Sequence, residues 1–223
     1  MITIKAIFII PGFLGSINEV SSLRDFLIRK GFFVYVCLIN GHGNGLNMGN
    51  FEAWINQANQ DFNRFLNRYD DVVLIGFSLG GVLASICFRS DYRIKRVVLI
   101  SPAFLHVYFH NIKYGFKALN EFRLNIKNGS KPMSTLKNKR IMYGISELKK
   151  LSKYAITNDV LSNIDKPTLL IQGLNDGLVK KENIDYVYNN LKCSKRLITT
   201  NGSHNLNNLL TEEILNKILM FIN

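Results

Sequence analysis

Short hydrophobic runs recur along the chain, separated by segments in which apolar residues repeat with helical spacing. Most runs are rich in β-branched residues and continuous rather than alternating, as in strands buried on both faces of a parallel sheet. Six strands are predicted, over Thr3–Ile10, Phe32–Leu38, Val72–Ile75, Arg96–Ile100, Thr168–Ile171 and Arg196–Thr199. Helices are predicted between most of them, over Glu19–Lys30, Phe51–Arg68, Leu79–Arg89, Lys181–Asn190 and Thr211–Ile222. This alternation indicates an α/β fold, with a mainly parallel sheet of about six strands flanked by helices.

One interval breaks the alternation. More than sixty residues separate the fourth predicted strand from the fifth, which is too long for a plain crossover. Helical patterns occupy this interval at Leu105–Lys117, Glu121–Asn128, Ser134–Asn138 and Ile145–Tyr154. We therefore predict a small helical cap over residues 104–161, inserted into an α/β core that residues 1–103 and 162–223 form.

The charge, the lengths of the apolar runs and the cysteine content argue against several classes of protein. The chain has 223 residues and a net charge of +12, but it contains no nucleic-acid-binding module, so we interpret the charge as a lysine-rich solvated surface. No apolar run reaches the ~20 residues that cross a bilayer. The apolar stretch Ala6–Ile10 lacks the layout of a signal peptide. Three widely spaced cysteines favour neither a disulfide framework nor a zinc site. We expect a cytoplasmic protein without a metal or another cofactor.

The strongest chemical signal follows the third predicted strand. Gly76-Phe77-Ser78-Leu79-Gly80 is a Gly-x-Ser-x-Gly motif that ends a strand and opens a helix. In that setting the motif predicts a sharp turn that presents the hydroxyl of Ser78 above the strand ends. Gly76 and Gly80 remove side chains that would clash across the turn. The sequence thus predicts Ser78 as a nucleophile at the N-terminus of a helix, where negative charge is stabilised.

A serine nucleophile needs a base, and the base needs an acid to orient it. The chain has four histidines, and His204 follows the last predicted strand in a flexible Asn-Gly-Ser turn. Asp176 follows the fifth strand and lies between Ser78 and His204 in the chain, the order that this kind of turn uses. We expect His42 to hydrogen-bond locally in a pocket wall.

Acyl transfer also needs donors for an oxyanion. One predicted donor is the backbone N–H of Leu79, directly after the nucleophile. The other is the backbone N–H of Phe13, in the loop after the first strand, where Gly12 and Gly15 permit a close bend.

Taken together, these motifs resemble those of the α/β-hydrolase superfamily, and in particular small bacterial carboxylesterases and monoacylglycerol-lipase-like enzymes. The matching segments are Gly12-Phe13-Leu14-Gly15, Gly41-His42-Gly43, Gly76 to Gly81, Gly173 to Val179, and Ser203-His204. The resemblance implies a Ser78–Asp176–His204 triad, an oxyanion hole from Phe13 and Leu79, and a short cap over an acyl pocket. Pro11 stands where the family usually has a histidine, and the chain lacks the first two antiparallel strands of larger members.

The expected function is hydrolysis of carboxylic esters with short- to medium-chain acyl groups through an acyl-enzyme. A thioesterase or a monoacylglycerol or lysophospholipid lipase would share every catalytic residue, and a non-catalytic binding protein on the same fold is the alternative from another class. The predicted cap region carries eleven Lys and Arg residues against three acidic ones, so we expect weak contact with anionic lipid surfaces as well as a small-molecule ester substrate. Monomer and dimer both remain open.

Overall fold

Six parallel strands form one sheet in the order β2-β1-β3-β4-β5-β6, in a computed structural model that describes residues 5–42, 49–105, 107 and 135–223. The strands are β1 (Lys5–Ile10), β2 (Phe33–Val36), β3 (Asp71–Phe77), β4 (Ile94–Ile100), β5 (Thr168–Gly173) and β6 (Lys195–Thr200). The described helices are α1 (Ser21–Arg29), α2 (Phe51–Leu66), α3 (Leu79–Cys87), α4 (Thr135–Thr157), α5 (Lys181–Asn190), α6 (Leu206–Leu209) and α7 (Glu212–Ile222). The predicted α/β fold is confirmed.

Both faces of the sheet are covered by helices. On one face, apolar side chains of the strands pack with those of α2, α3, α4 and α5, around large buried residues such as Trp54 and Phe62. On the other face they pack with α1 and α7, around residues such as Leu23 and Ile218. The inner strands are therefore buried on both sides, which explains why they read as continuous hydrophobic runs. The two edge strands, β2 and β6, are only partly buried.

The strand order creates a place for a ligand site at the carboxyl ends of the central strands. From β1 the chain crosses to β2 on one side, and it then returns to place β3 on the other side of β1. Ligands in open α/β sheets bind at such a switch point, outside the carboxyl ends of the strands. The loop after β1 and the turn after β3 meet there.

Several predictions fall on residues outside the described part of the chain. These include the helices predicted at Leu105–Lys117 and Glu121–Asn128 and much of the basic cap. The two later helical segments of the predicted cap are joined in one continuous helix, α4. Its buried residues Leu148, Leu151 and Ala155 share a core cluster with α2 and α3. The division into core and cap stays a prediction.

Among the described residues, no helix is both long enough and apolar enough to cross a membrane.

Candidate active site

The turn between β3 and α3 holds Ser78 in an unusual backbone conformation. Ser78 has φ 54° and ψ −117°, a region that residues with a Cβ rarely adopt and that costs about 1–3 kcal/mol. Hydrogen bonds fix this turn: the Ser78 N–H donates to the carbonyl of Ile100 at 2.9 Å, and the Ser78 carbonyl accepts from the N–H groups of Gly81 and Ala103. The strain is thus built into the fold at the residue predicted to be the nucleophile.

Two glycines permit this turn to lie close to its neighbours. A Cβ on Gly76 would overlap the backbone of Gly80, and a Cβ on Gly80 would overlap the carbonyl oxygens of Ile10 and Pro11. The start of α3 therefore lies against the end of β1, which brings Ser78 beside the loop after β1.

Ser78, His204 and Asp176 form one chain of hydrogen bonds. The Nε2 atom of His204 lies 2.9 Å from the Oγ atom of Ser78, and its Nδ1 atom lies 2.6 Å from Oδ2 of Asp176. The Asp176 side chain is fully buried, whereas that of His204 is 14% exposed. The second carboxylate oxygen of Asp176 accepts the backbone N–H groups of Leu178 and Val179, at 3.0 and 2.8 Å.

This arrangement can activate a hydroxyl. The imidazole can accept the Ser78 proton at Nε2 only when Nδ1 carries the other proton, and the carboxylate of Asp176 favours that tautomer. The aromatic ring of Phe77 packs beside the imidazole of His204, with ring centroids 5.0 Å apart. The structure therefore brings together three residues that sequence analysis selected from three separate loops.

The loop after β1 bends sharply over residues 11–16, which we call the oxyanion loop. Leu14 has φ 60°, and the Gly15 N–H donates to the Gly12 carbonyl at 2.9 Å. Within the described residues, the backbone N–H groups of Phe13 and Leu79 donate to no protein acceptor. Both are therefore available to a ligand at the switch point.

Glu19, which none of the sequence motifs indicated, supports this loop with its carboxyl group. Its Oε2 atom accepts the Gly12 N–H at 2.8 Å. Burial raises the pKa of Glu19 to about 7, and the hydrogen bond from Gly12 and the charge of His204 oppose that rise. Glu19 was assigned to the first turn of a predicted helix, but α1 begins two residues later, at Ser21.

His42 supports the same loop from another side. Burial lowers its pKa to about 4, and the neighbouring backbone of Gly12 opposes that shift. Its ring lies edge-on against Phe13 and Trp54, with centroid distances of 5.6 and 5.0 Å. These ring contacts place His42 beside the loop, and its expected local hydrogen bond stays a prediction.

The described residues contain no group of three or more His, Cys, Asp or Glu side chains placed to hold a metal ion. In the same part of the chain, Cys37, Cys87 and Cys193 are free thiols.

The parallel sheet has helices on both faces, a strained serine turn after a central strand and a histidine after the last strand. These features define the class of α/β-hydrolases. Residues 3–159 match the family described as serine aminopeptidase, S33, so the chain belongs to that family of hydrolases. The matched segment contains Ser78 and ends before Asp176 and His204.

Known proteins agree with this assignment. The chain is 24% identical to the mouse (Mus musculus) serine hydrolase BPHL over 233 residues, covering 93% of this chain and 76% of that protein. Among solved structures, it is similar to one described with the metagenome-derived lipolytic enzymes LipS and LipT, with a TM-score of 0.75 and 19% identity over 99% of this chain and 94% of that one. It is also similar to the monoacylglycerol lipase of Paleococcus ferrophilus, with a TM-score of 0.71 and 20% identity over 99% and 95% of the two chains. The structural likenesses show the α/β-hydrolase fold.

Proposed function

We propose that the protein hydrolyses carboxylic esters through a covalent acyl-enzyme formed on Ser78. The observation that carries this proposal is the hydrogen-bonded series Ser78–His204–Asp176, with distances of 2.9 and 2.6 Å. A serine hydroxyl is a weak nucleophile until a base within hydrogen-bond reach accepts its proton, and the series supplies both that base and the group that orients it.

In the first step, Ser78 Oγ attacks the ester carbonyl carbon while its proton moves to Nε2 of His204. The resulting tetrahedral intermediate carries an oxyanion, and the imidazolium lies beside the carboxylate of Asp176. His204 then gives its proton to the oxygen of the leaving alcohol as the C–O bond breaks. In the second step, a water molecule attacks the acyl group with the same base, and Ser78 leaves with the returned proton.

The oxyanion is stabilised by the backbone N–H groups of Phe13 and Leu79. Leu79 is the first residue of α3, so the partial positive charge at the helix N-terminus adds to its N–H dipole. Each such donor is typically worth about 10²–10³ in rate. The glycine contacts between α3 and the end of β1 support this arrangement, because they bring the two loops that carry the donors together.

The expected substrates are esters with short- to medium-chain acyl groups. Thioesters and the esters of monoacylglycerols or lysophospholipids use the same chemistry, and the lipolytic enzymes of similar fold favour including them as candidates. The family description adds aminoacyl substrates to the set that a test must cover.

The test is a substrate series with the purified protein. We expect turnover of p-nitrophenyl acetate, butyrate and octanoate, measured beside p-nitrophenyl palmitate, acyl thioesters, a monoacylglycerol and an aminoacyl p-nitroanilide. A fluorophosphonate probe should label one residue, identified as Ser78 by mass spectrometry of the digested protein. The Ser78→Ala variant should lose both labelling and hydrolysis.

Ser85→Ala is the matched control, since Ser85 is a buried serine of α3 whose hydroxyl donates to the Gly81 carbonyl at 2.9 Å. It should retain labelling and turnover. Ester hydrolysis at wild-type rate by Ser78→Ala would contradict the mechanism. Absence of labelling and of turnover on every substrate would favour a non-catalytic binding protein. Turnover confined to the p-nitroanilide would replace the esterase with a peptidase.

A further inference from the structure

The segment between β1 and α1 encloses a carboxyl group that the proposed reaction does not use. Glu19 Oε2 accepts the Gly12 N–H at 2.8 Å. A Cβ on Gly15 would overlap the same oxygen, and a Cβ on Gly12 would lie 3.1 Å from the other one. Glu19 as a residue is partly exposed, but its carboxyl group fills the space that these two glycines leave open.

We propose that Glu19 is a positioning residue that holds the oxyanion loop in the conformation in which the Phe13 N–H faces the acyl site. The inference rests on the proposed function, because it assigns Phe13 as an oxyanion donor. It goes beyond that function by naming the side chain that keeps this donor in place.

Two hydrogen bonds fix the peptide groups that flank Gly12. Glu19 fixes the peptide on the N-terminal side by accepting its N–H. The Gly15 N–H fixes the peptide on the C-terminal side by donating to the Gly12 carbonyl at 2.9 Å. A trans peptide is planar, so the Phe13 N–H must point opposite to that carbonyl.

Glycine makes this loop dependent on such restraints. Gly12 has no Cβ and can rotate about φ and ψ more freely than any other residue. If the Glu19 acceptor were removed, the Gly12 N–H would lose its partner and the peptide on either side of Gly12 could turn. The Phe13 N–H would then leave the direction in which it can stabilise an oxyanion.

The residues around the loop explain why a carboxyl group is needed here. Pro11 has no N–H, so it cannot contribute a backbone donor to brace the loop. His42 packs against the same loop from another side, through the edge-on contact of its ring with the ring of Phe13. Burial raises the pKa of Glu19, and the carboxyl group keeps an oxygen that accepts the Gly12 N–H whether or not it is protonated.

The experiment compares Glu19→Ala with Glu19→Gln in the full-length protein. The Gln variant keeps an acceptor oxygen of similar reach, and the Ala variant has none. Values of kcat and KM are measured with p-nitrophenyl butyrate, and kcat is divided by the active-site concentration from the end point of fluorophosphonate labelling. We expect kcat to fall about 10- to 100-fold in Glu19→Ala, with KM changed by less than about 3-fold, because an oxyanion contact acts mainly in the transition state. Glu19→Gln should recover kcat to within about 3-fold of the wild type.

Asp91→Ala is the control for a purely structural loss. Asp91 Oδ1 accepts the backbone N–H of Arg93 at 2.9 Å in the turn before β4, at the amino ends of the strands and opposite the site. It should lower Tm without changing kcat. The inference is wrong if Glu19→Ala lowers Tm in the same way and keeps wild-type kcat, or if Glu19→Gln loses as much kcat as Glu19→Ala.

The experiment also distinguishes a folding failure of Glu19→Ala from a failure of the proposed function. If Glu19→Ala gives no folded protein, Glu19→Met takes its place, since it fills a similar volume without an acceptor oxygen, and the same kcat loss is expected. If the wild type hydrolyses no ester, the proposed function itself fails, whereas an active wild type with an equally active Glu19→Ala overturns only the positioning role.

Discussion

Glu19 and His42 predict opposite dependences of stability on pH, and a pair of variants can separate them. Burial raises the pKa of Glu19 from 4.5 to about 7. Between these values the folded protein binds a proton that the unfolded chain has released, so the free energy of unfolding falls as pH rises. Burial lowers the pKa of His42 from 6.5 to about 4. Between those values the unfolded chain holds a proton that the folded protein lacks, so the free energy of unfolding rises with pH.

The magnitudes follow from the two pH ranges. One proton is worth about 1.4 kcal/mol per pH unit at 25 °C, so each residue changes the free energy of unfolding by about 3 kcal/mol across its full range. The ranges overlap between pH 4.5 and 6.5. In the wild type the two effects therefore nearly cancel there, and the contribution of this pair to the pH profile is flat.

Urea unfolding, followed by tryptophan fluorescence at pH 4.5, 5.5, 6.5 and 7.5, tests this reasoning. Glu19→Gln lacks the Glu19 contribution, which falls as pH rises, so its stability relative to the wild type should rise by about 3 kcal/mol between the lowest and highest pH. In His42→Asn the relative stability should fall over the lower part of the same range. Profiles of the wild type and Glu19→Gln that run parallel at all four pH values would show that the carboxyl group of Glu19 is not buried as described.

Three further predictions concern the proposed site and the core. Asp176→Asn should lower kcat about 10³–10⁴-fold in the ester assay and leave Tm nearly unchanged. The new amide oxygen can still accept the two backbone N–H groups, so the NH₂ group faces Nδ1 of His204 and imposes the wrong tautomer. A loss of kcat below tenfold would contradict this role. Ser78→Gly should abolish hydrolysis yet raise the free energy of unfolding by about 1 kcal/mol, because glycine adopts φ 54° without strain, and a less stable variant would refute the strain. Trp54→Ala should cost about 3–5 kcal/mol in urea unfolding, followed by circular dichroism because the chain has no other tryptophan. The side chain is 1% exposed, and a cost below about 1 kcal/mol would contradict its place in the core.

The parts of the fold that follow from hydrophobic periodicity were predicted well. All six strands were found within a few residues. The four inner strands gave the clearest signal, because burial on both faces makes them continuous apolar runs. The edge strand β2 is shorter than predicted, at Phe33–Val36, and Leu38 at the end of the predicted run is 40% exposed. The short helix α6 was missed, because four residues are too few to show a helical period.

The candidate site was predictable for a topological reason. Parallel strands end at one edge of the sheet, so polar residues that directly follow strands converge there, as Ser78, Asp176 and His204 do. Glu19 was not predictable in this way. It follows its strand at a distance of nine residues, and its role depends on a loop conformation that helical periodicity does not encode.

The order of the elements along the chain determines when during synthesis Ser78 and His204 can come together. The strained serine turn and the oxyanion loop belong to the first half of the chain, whereas β6, which forms one edge of the sheet, and the histidine after it come near the end. Domains form from the N-terminal side as the chain leaves the ribosome. Under the proposed mechanism, a nascent chain that has completed four strands would present Ser78 without His204, and a product that stops before β6 should hydrolyse no ester.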